Sequence, residues 1–212
     1  MKLKKLFRNR RGIVGVEAAI VLIAFIIIAA ALSYVVINMG FYTTQKTKET
    51  MQTGLEESTT ALQLDGVVTG KTDGDNKIQY LIIPAKLSTG KSAIDLNTSA
   101  VVVSVYLPSN TLLNIYKGAN KTNEIDLDKI LDDDENFGGI QSQGAMFALY
   151  NGDDDKVLES NEKAFLIINL GTDKVADYQT VKIEVRTAKG AALTVVRTAP
   201  GGMPKNSFVD LG

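Results

Sequence analysis

Residues 18–37 read AAIVLIAFIIIAAALSYVVI, twenty positions without a charge or a proline. At 1.5 Å per residue such a run spans about 30 Å of hydrocarbon. A helix apolar on every side belongs in a membrane or inside a bundle of other helices. Ahead of the run stand Lys2, Lys4, Lys5, Arg8, Arg10 and Arg11, with no acid before Glu17. A basic head of this kind stays on the cytoplasmic side while the following chain crosses. Three fates fit the segment: a permanent anchor, a secretory signal cut after Ala29-Ala30-Ala31, or a short leader cut before the apolar run. Against the signal peptide, the run continues past that site through Tyr34, Val35, Val36 and Ile37. Against a plain anchor, Arg10-Arg11-Gly12 abuts the run and Glu17 lies in its first turns.

The basic head also hides the charge of the remainder. The chain carries 23 basic and 24 acidic residues, and taking the six head residues from the 23 leaves 17 against 24, a net of -7. An acidic body argues against nucleic acid as a partner. There is no cysteine and no histidine, so disulfides, thiolate or imidazole metal ligands and an imidazole base are all excluded. Gly70-Lys71-Thr72 and Gly90-Lys91-Ser92 imitate the end of a phosphate-binding loop, but Asp65 and Ala85 stand where its first glycine is required. No Gly-x-Ser-x-Gly elbow occurs. The expectation is a protein without catalysis.

The helical pattern continues past Ile37. Asn38 to Leu64 is polar but free of proline, and Met51 and Leu55 are i, i+4 neighbours on one side. One helix over residues 13–64 is expected, broken or bent near Gly40. The texture changes at Gly66, Gly70, Asp73, Gly74, Asp75 and Asn76, a turn-rich boundary. Seven apolar, β-branched runs follow: 78–83, 100–107, 112–116, 145–150, 164–170, 181–187 and 191–198. In the last pair Ile183 and Val185 alternate with Lys182, Glu184 and Arg186, and Ala188-Lys189-Gly190 reads as a hairpin loop. The fold expected is α+β: a long N-terminal hydrophobic α-helix followed, over 65–212, by an antiparallel, Ig-like β-sandwich.

The segment RRGIVGVEAAIVLIAFIIIAAALSYVVINMG resembles the N-terminus of archaeal flagellins (archaellins) and, more distantly, of type IV pilins. The runs NGDDDKVLESNEKAFLIINL and VKIEVRTAKGAALTVVRTAP resemble the C-terminal half of the same family; residues 84–140 resemble it least. The resemblance implies that residues 1–12 are a leader removed by a prepilin-type membrane peptidase, with Arg10, Arg11 and Gly12 recognised and Ile13 the new N-terminus. It implies a homopolymeric extracellular filament, the archaellum, held together by the N-terminal helices and turned by a separate motor and assembly machinery. The precursor waits in the membrane. Glu17 becomes the fifth mature residue, where pilins carry glutamate and many archaellins do not. A carboxylate taken into such a core needs a partner, and the free amine of Ile13 on a neighbouring copy is suitable; interfacial snorkelling is the alternative. Ala18, Ala19, Ala24, Ala29 and Ala30 are small enough for close helix approach, and the larger Ile20 and Phe25 belong to the same expected assembly surface. Simple helix propensity accounts for the alanines equally well.

Two kinds of ancillary site suggest themselves. Asn151, Asp153, Asp155, Glu159 and Glu162 occupy positions 1, 3, 5, 9 and 12 of an EF-hand-like loop, a spacing suited to Ca2+ or another divalent cation. Lys156 stands where that loop needs glycine, so a hairpin turn with solvated acids competes. Asp132 to Asn136 reads as an acidic solvated loop, with a second cation site as its alternative. Asn97-Thr98-Ser99 and Asn120-Lys121-Thr122 are N-glycosylation acceptor patterns, and the resemblance places both in a region where archaellins are often modified. The rival readings of the whole chain are an archaeal adhesion pilin, favoured by Glu17, and a secreted or anchored β-sandwich binding module that never polymerises.

Overall fold

A computed structural model describes residues 10–59, 61–89, 93–124, 126–153 and 155–212, with the side chains of 10–14, 134, 135 and 139 left aside. The chain divides into two units, Met1–Gly54 and Leu55–Gly212. Helix α1 spans Arg10–Ser58 without interruption at Gly40. The first proline of the chain is Pro84, so nothing before it removes a backbone donor. Forty-nine residues make a rod of about 74 Å.

The helix stops at Ser58, six residues short of the Leu64 expected from sequence. Thr59 turns both its N–H and its hydroxyl onto the Leu55 carbonyl. Two residues later Ala61 and Leu62 are buried in the core of the second unit, and Leu62–Leu64 forms strand β1. Burying Leu62 contributes roughly 1.5–3 kcal/mol, more than the polar tail of the helix gains by extending another turn.

The second unit continues through β2 (Thr69–Thr72), β3 (Ile78–Leu87), β4 (Ala93–Asp95), β5 (Val101–Tyr106), β6 (Thr111–Leu112) and β7 (Tyr116–Thr122). Short helices α2 (Leu127–Leu131) and α3 (Asp134–Phe137) and a 3-10 turn over Gly138–Ile140 follow. Then come β8 (Gly144–Tyr150), β9 (Val157–Glu159), β10 (Lys163–Asn169), β11 (Thr180–Thr187), β12 (Leu193–Thr198) and β13 (Phe208–Asp210). The larger sheet has the order β13-β2-β3-β10-β8-β7, with β1 also paired to β3; the smaller has the order β12-β11-β5-β6. The hairpin expected at 188–190 joins β11 to β12, with Val185 opposite Leu193.

Burial explains the sequence texture. Ile183 and Val185 on β11, Val103 and Val105 on β5, and Leu166 and Ile168 on β10 meet in one core between the sheets. On β11 the intervening Lys182 faces solvent, as the alternation predicts. β10 instead reads AFLIIN without alternation, because its other face is covered too. Ile167 and Ile82 pack there against Ile130, Leu131, Phe137 and Ile140 from the helical segment. The larger sheet is thus the middle of three layers, a cover the two-sheet expectation lacked.

Four further differences from the sequence reading are observed. The acidic stretch at 132–136 is not a plain loop: Asp126 accepts from the Asp128 N–H to cap α2, and Asp133 accepts from the Asn136 N–H to cap α3. The connection from β7 through these helices returns alongside, so β7 and β8 pair in parallel, the exception in otherwise antiparallel sheets. The run 112–116 is split, since Asn114 takes a positive φ of 48° and Leu113 is exposed while Leu112 is buried. A segment already assigned to turns, near Gly70, pairs as β2.

Residues 203–211 close the open edge. β13 pairs with β2, Phe208 opposite Lys71. The Thr72 hydroxyl donates to the Pro204 carbonyl at 2.6 Å, and the Asn76 side-chain amide donates to the Met203 carbonyl. Beside this clasp the Asp73 carboxylate pairs with the Lys174 ammonium. Burial works to raise the Asp73 pKa, but the Lys174 bond and N–H donors from Lys77 and Asp75 outweigh it, leaving a pKa of about 2 against an ordinary 3.8.

Candidate assembly surface

Helix α1 presents its apolar side chains to solvent. Ile20 is 61% exposed and Phe25 is 73% exposed. Every residue from Gly15 to Leu55 is exposed, Glu17, Ala18, Ala19, Ala24, Ala29 and Ala30 among them. An exposed apolar surface this long marks an interaction site or a membrane segment. Glu17 lies in a shallow groove with Ala18, Val21, Leu22 and Phe25. Any surface that covers the groove must also supply a partner for the exposed Glu17 carboxylate.

Two properties of the helix were not read from sequence. Hydroxyls in its polar half are satisfied within the helix: Thr44 donates to the Gly40 carbonyl at 2.8 Å, Thr47 to Thr43, Thr50 to Lys46 and Thr53 to Glu49, each at 2.9 Å. Such back-bonding is the common resort of a hydroxyl inside a helix, and threonines within a predicted helix were its signal. Gly15, Gly40 and Gly54 each weaken a helix by about 1 kcal/mol relative to alanine. An added Cβ at any of the three meets open space, so packing within the chain does not require them.

The leader assignment falls partly outside the described residues. Residues 1–9 are not described; Arg10, Arg11, Gly12 and Ile13 belong to the first turn of α1, and their side chains are left aside.

The EF-hand-like residues are drawn together for a different purpose. Glu162, 8% exposed, receives the Asp153 N–H at 3.3 Å on one oxygen and the Glu159 N–H at 2.8 Å on the other. Asp153 accepts from the Asp155 N–H and Asp155 from the Val157 N–H. Asn151 sits at a positive φ of 62° and donates to the Asn161 carbonyl at 3.4 Å. Val157–Glu159 is strand β9, paired with β4, so positions 7 to 9 of the supposed loop are extended. Among the described residues no group of three acidic side chains is placed to hold a metal ion. The carboxylates act as acceptors that shape the turn.

The two glycosylation patterns differ. Asn97 is exposed in a turn after β4, with Thr98 and Ser99 also exposed. Asn120 is half-buried within β7, its amide donates to the Asn136 carbonyl, and Thr122 is buried. Nearby, the Tyr116 hydroxyl donates to the Leu96 carbonyl at 2.6 Å, and burial, with a contribution from Asp95, pushes its pKa well above the ordinary range.

Comparison with known proteins gives concordant results. The model of the archaeal-type flagellin family matches residues 12–197. The chain is 44% identical over 206 residues to probable flagellin 1 of Aeropyrum pernix, covering 97% of this chain and all of that relative. It is 31% identical to probable flagellin 2 of Archaeoglobus fulgidus, covering 97% and 98%. Among solved structures, the archaeal flagellum of Methanospirillum hungatei shares the fold with a TM-score of 0.57 at 24% identity, over 93% of this chain and 99% of that one. An archaeal flagellin from Methanocaldococcus jannaschii does so at 0.55 and 17%, over 71% and 95%.

Proposed function

Because the chain belongs to the archaeal-type flagellin family, and is by that membership a structural subunit of an archaeal flagellar filament, we propose the following course for its assembly. The precursor is inserted through α1 into the cytoplasmic membrane. A prepilin-type peptidase cuts between Gly12 and Ile13. The released helix then exchanges lipid for the helices of neighbouring copies, and the β-rich unit forms the outer wall of an extracellular filament. Rotation by a separate motor gives swimming; the chain contributes stiffness and shape, with no chemistry of its own. Such a polymer is helical and heterologous, one patch meeting a different patch on the next copy.

The observation that carries this reading is the exposure of the large apolar side chains of α1 from Val16 to Leu55. In lipid they are solvated by hydrocarbon; in water they require other copies. Since lipid is as apolar as these side chains, transfer between the two hosts gains little from dehydration, and close packing decides it. Glu17 then pairs with the amine that cleavage creates at Ile13 of a neighbour, so assembly recognises the processed chain. Asn97, exposed in its turn, is the acceptor of choice if the wall carries N-linked glycan.

The deciding measurement is the intact mass and N-terminal sequence of protein from shed filaments. We expect a start at Ile13, with added mass mapping to Asn97 where glycan is present. A start near Leu32 means that an ordinary signal peptidase removed the assembly helix, and the scheme is then abandoned.

A further inference from the structure

The sequence contains a single Asn-Gly pair, Asn151-Gly152. An asparagine amide is lost when the backbone nitrogen of the next residue attacks its Cγ, so the reaction needs that nitrogen free and uncrowded. Glycine brings no side chain to crowd it. The structure separates Asn151 from the other asparagines on the same ground. The N–H after Asn76 is held by the Asp73 carboxylate at 3.0 Å, that after Asn136 by the Asp133 carbonyl at 2.9 Å, and that after Asn161 by the Glu159 carbonyl at 3.2 Å. The N–H after Asn169 is held by the Gln79 carbonyl at 2.9 Å, and that after Asn206 by the Thr72 hydroxyl at 3.1 Å. Among the described residues no acceptor takes the Gly152 N–H. Glu162 accepts from the Asp153 N–H, one residue too late to occupy the Gly152 nitrogen. Asn97 is also exposed, but the β-branched Thr98 follows it and its own amide donates to Asp95 at 2.6 Å. Asn151 is exposed, lies one residue past the end of β8, and its amide reaches the Asn161 carbonyl at a long 3.4 Å.

We propose that Asn151 is a site of spontaneous covalent modification, at which the folded chain closes onto the Gly152 nitrogen and is then opened by water to aspartate or isoaspartate. In the first step the Gly152 nitrogen gives up its proton and bonds to the Asn151 Cγ. The bond from Cγ to Nδ2 breaks, and Nδ2 leaves with that proton as ammonia. In the second step water adds to one of the two carbonyls of the succinimide ring. Opening at Cγ restores the main chain with aspartate at 151; opening at the backbone carbonyl leaves isoaspartate, with the chain routed through the side chain. The sum is one water in and one ammonia out. The product carries a new carboxylate in a loop where Asp153 and Asp155 are already exposed, and it loses the donor that reached the Asn161 carbonyl. No partner is needed, so the rate is set by the fold and the converted fraction records the age of the chain.

The test needs the unaltered protein. Full-length chain dispersed in detergent would be kept warm at mildly alkaline pH, in parallel with a free peptide of residues 145–160, and both would be mapped by mass spectrometry. Asn151 in the folded chain should convert within about tenfold of the peptide rate, and about tenfold or more faster than any other asparagine of the chain. Conversion of the peptide while Asn151 of the folded chain stays intact overturns the proposal, because the fold then withholds the nitrogen. Earlier loss at any other asparagine overturns it as well. Asn151→Ser gives a second readout: early release of ammonia should disappear, and release at the wild-type rate from that variant overturns the proposal. Since every measurement is made on dispersed chains, the result does not depend on the filament reading.

Discussion

Phe25 and Phe147 are the same residue in two situations: the first is 73% exposed on α1, the second is fully buried between the sheets. The β-rich unit closes upon itself. Phe147 meets Tyr116 edge to face, with ring centroids 5.9 Å apart, and no buried side-chain nitrogen or oxygen among the described residues lacks a partner. The large apolar side chains of α1 that are described are exposed instead. One unit is a finished fold and the other is half of an interface. The contrast separates two kinds of stability, one belonging to the molecule and one belonging to the assembly.

Substitutions should therefore divide cleanly between assembly and melting. On the proposed pairing of Glu17 with the Ile13 amine of a neighbour, Glu17→Gln would leave that amine buried alone, a loss on the order of 3–5 kcal/mol per contact. Filament yield should fall by several orders of magnitude while thermal melting of the β-rich unit, followed by circular dichroism near 218 nm in detergent, is unchanged. Wild-type yield from Glu17→Gln would return that residue to a mere interfacial position. Phe147→Ala tests the other side. It should destabilise the β-rich unit by about 3–5 kcal/mol, read as a lower melting temperature, and leave the helical signal of α1 intact. Loss of both signals together would show that the two units are not independent.

The smallest effect concerns pH. Asp73 has a pKa of about 2 when folded against an ordinary 3.8. A carboxylate with a depressed folded value contributes stability that is fully present above the unfolded value and is lost as the pH falls through the folded one. The window is thus pH 4 down to about 2, with a loss of roughly 1–2 kcal/mol. Asp73→Asn should flatten the acid side of the unfolding curve of the β-rich unit over that window. An unchanged slope would mean that the Lys174 pair contributes nothing to the edge it sits beside.

Much of this architecture was legible from sequence because the signals are redundant. Twenty uncharged residues leave few readings, and the alternation of Ile183 and Val185 with charged neighbours specifies a sheet face. The failures occurred where one local signal was overruled from a distance. Gly70 and its neighbours carry the composition of a turn, yet β2 forms there because β3 and β13 flank it. Leu62 lies in a helical pattern, but the core claims it. The acids at 132–136 spelled solvent, and their use as helix caps depends on Ile130 and Phe137 having the back of β10 to cover. At the candidate sites the sequence supplied the residue types without their partners. Glu162 has the spacing of a calcium ligand, but its oxygens were already engaged by backbone N–H groups that no spacing rule reveals.

The clasp formed by residues 203–211 also sets an order of events. Thr72 bonds to Pro204, 132 positions further along the chain, and β2 lacks its outer neighbour until β13 arrives. Contacts this distant in sequence form late, after the cost of closing a long loop has been met. Until β13 is in place, the larger sheet therefore has an open edge. The β-rich unit is complete only once β13 has paired with β2 and Leu211 has taken its buried place in the core.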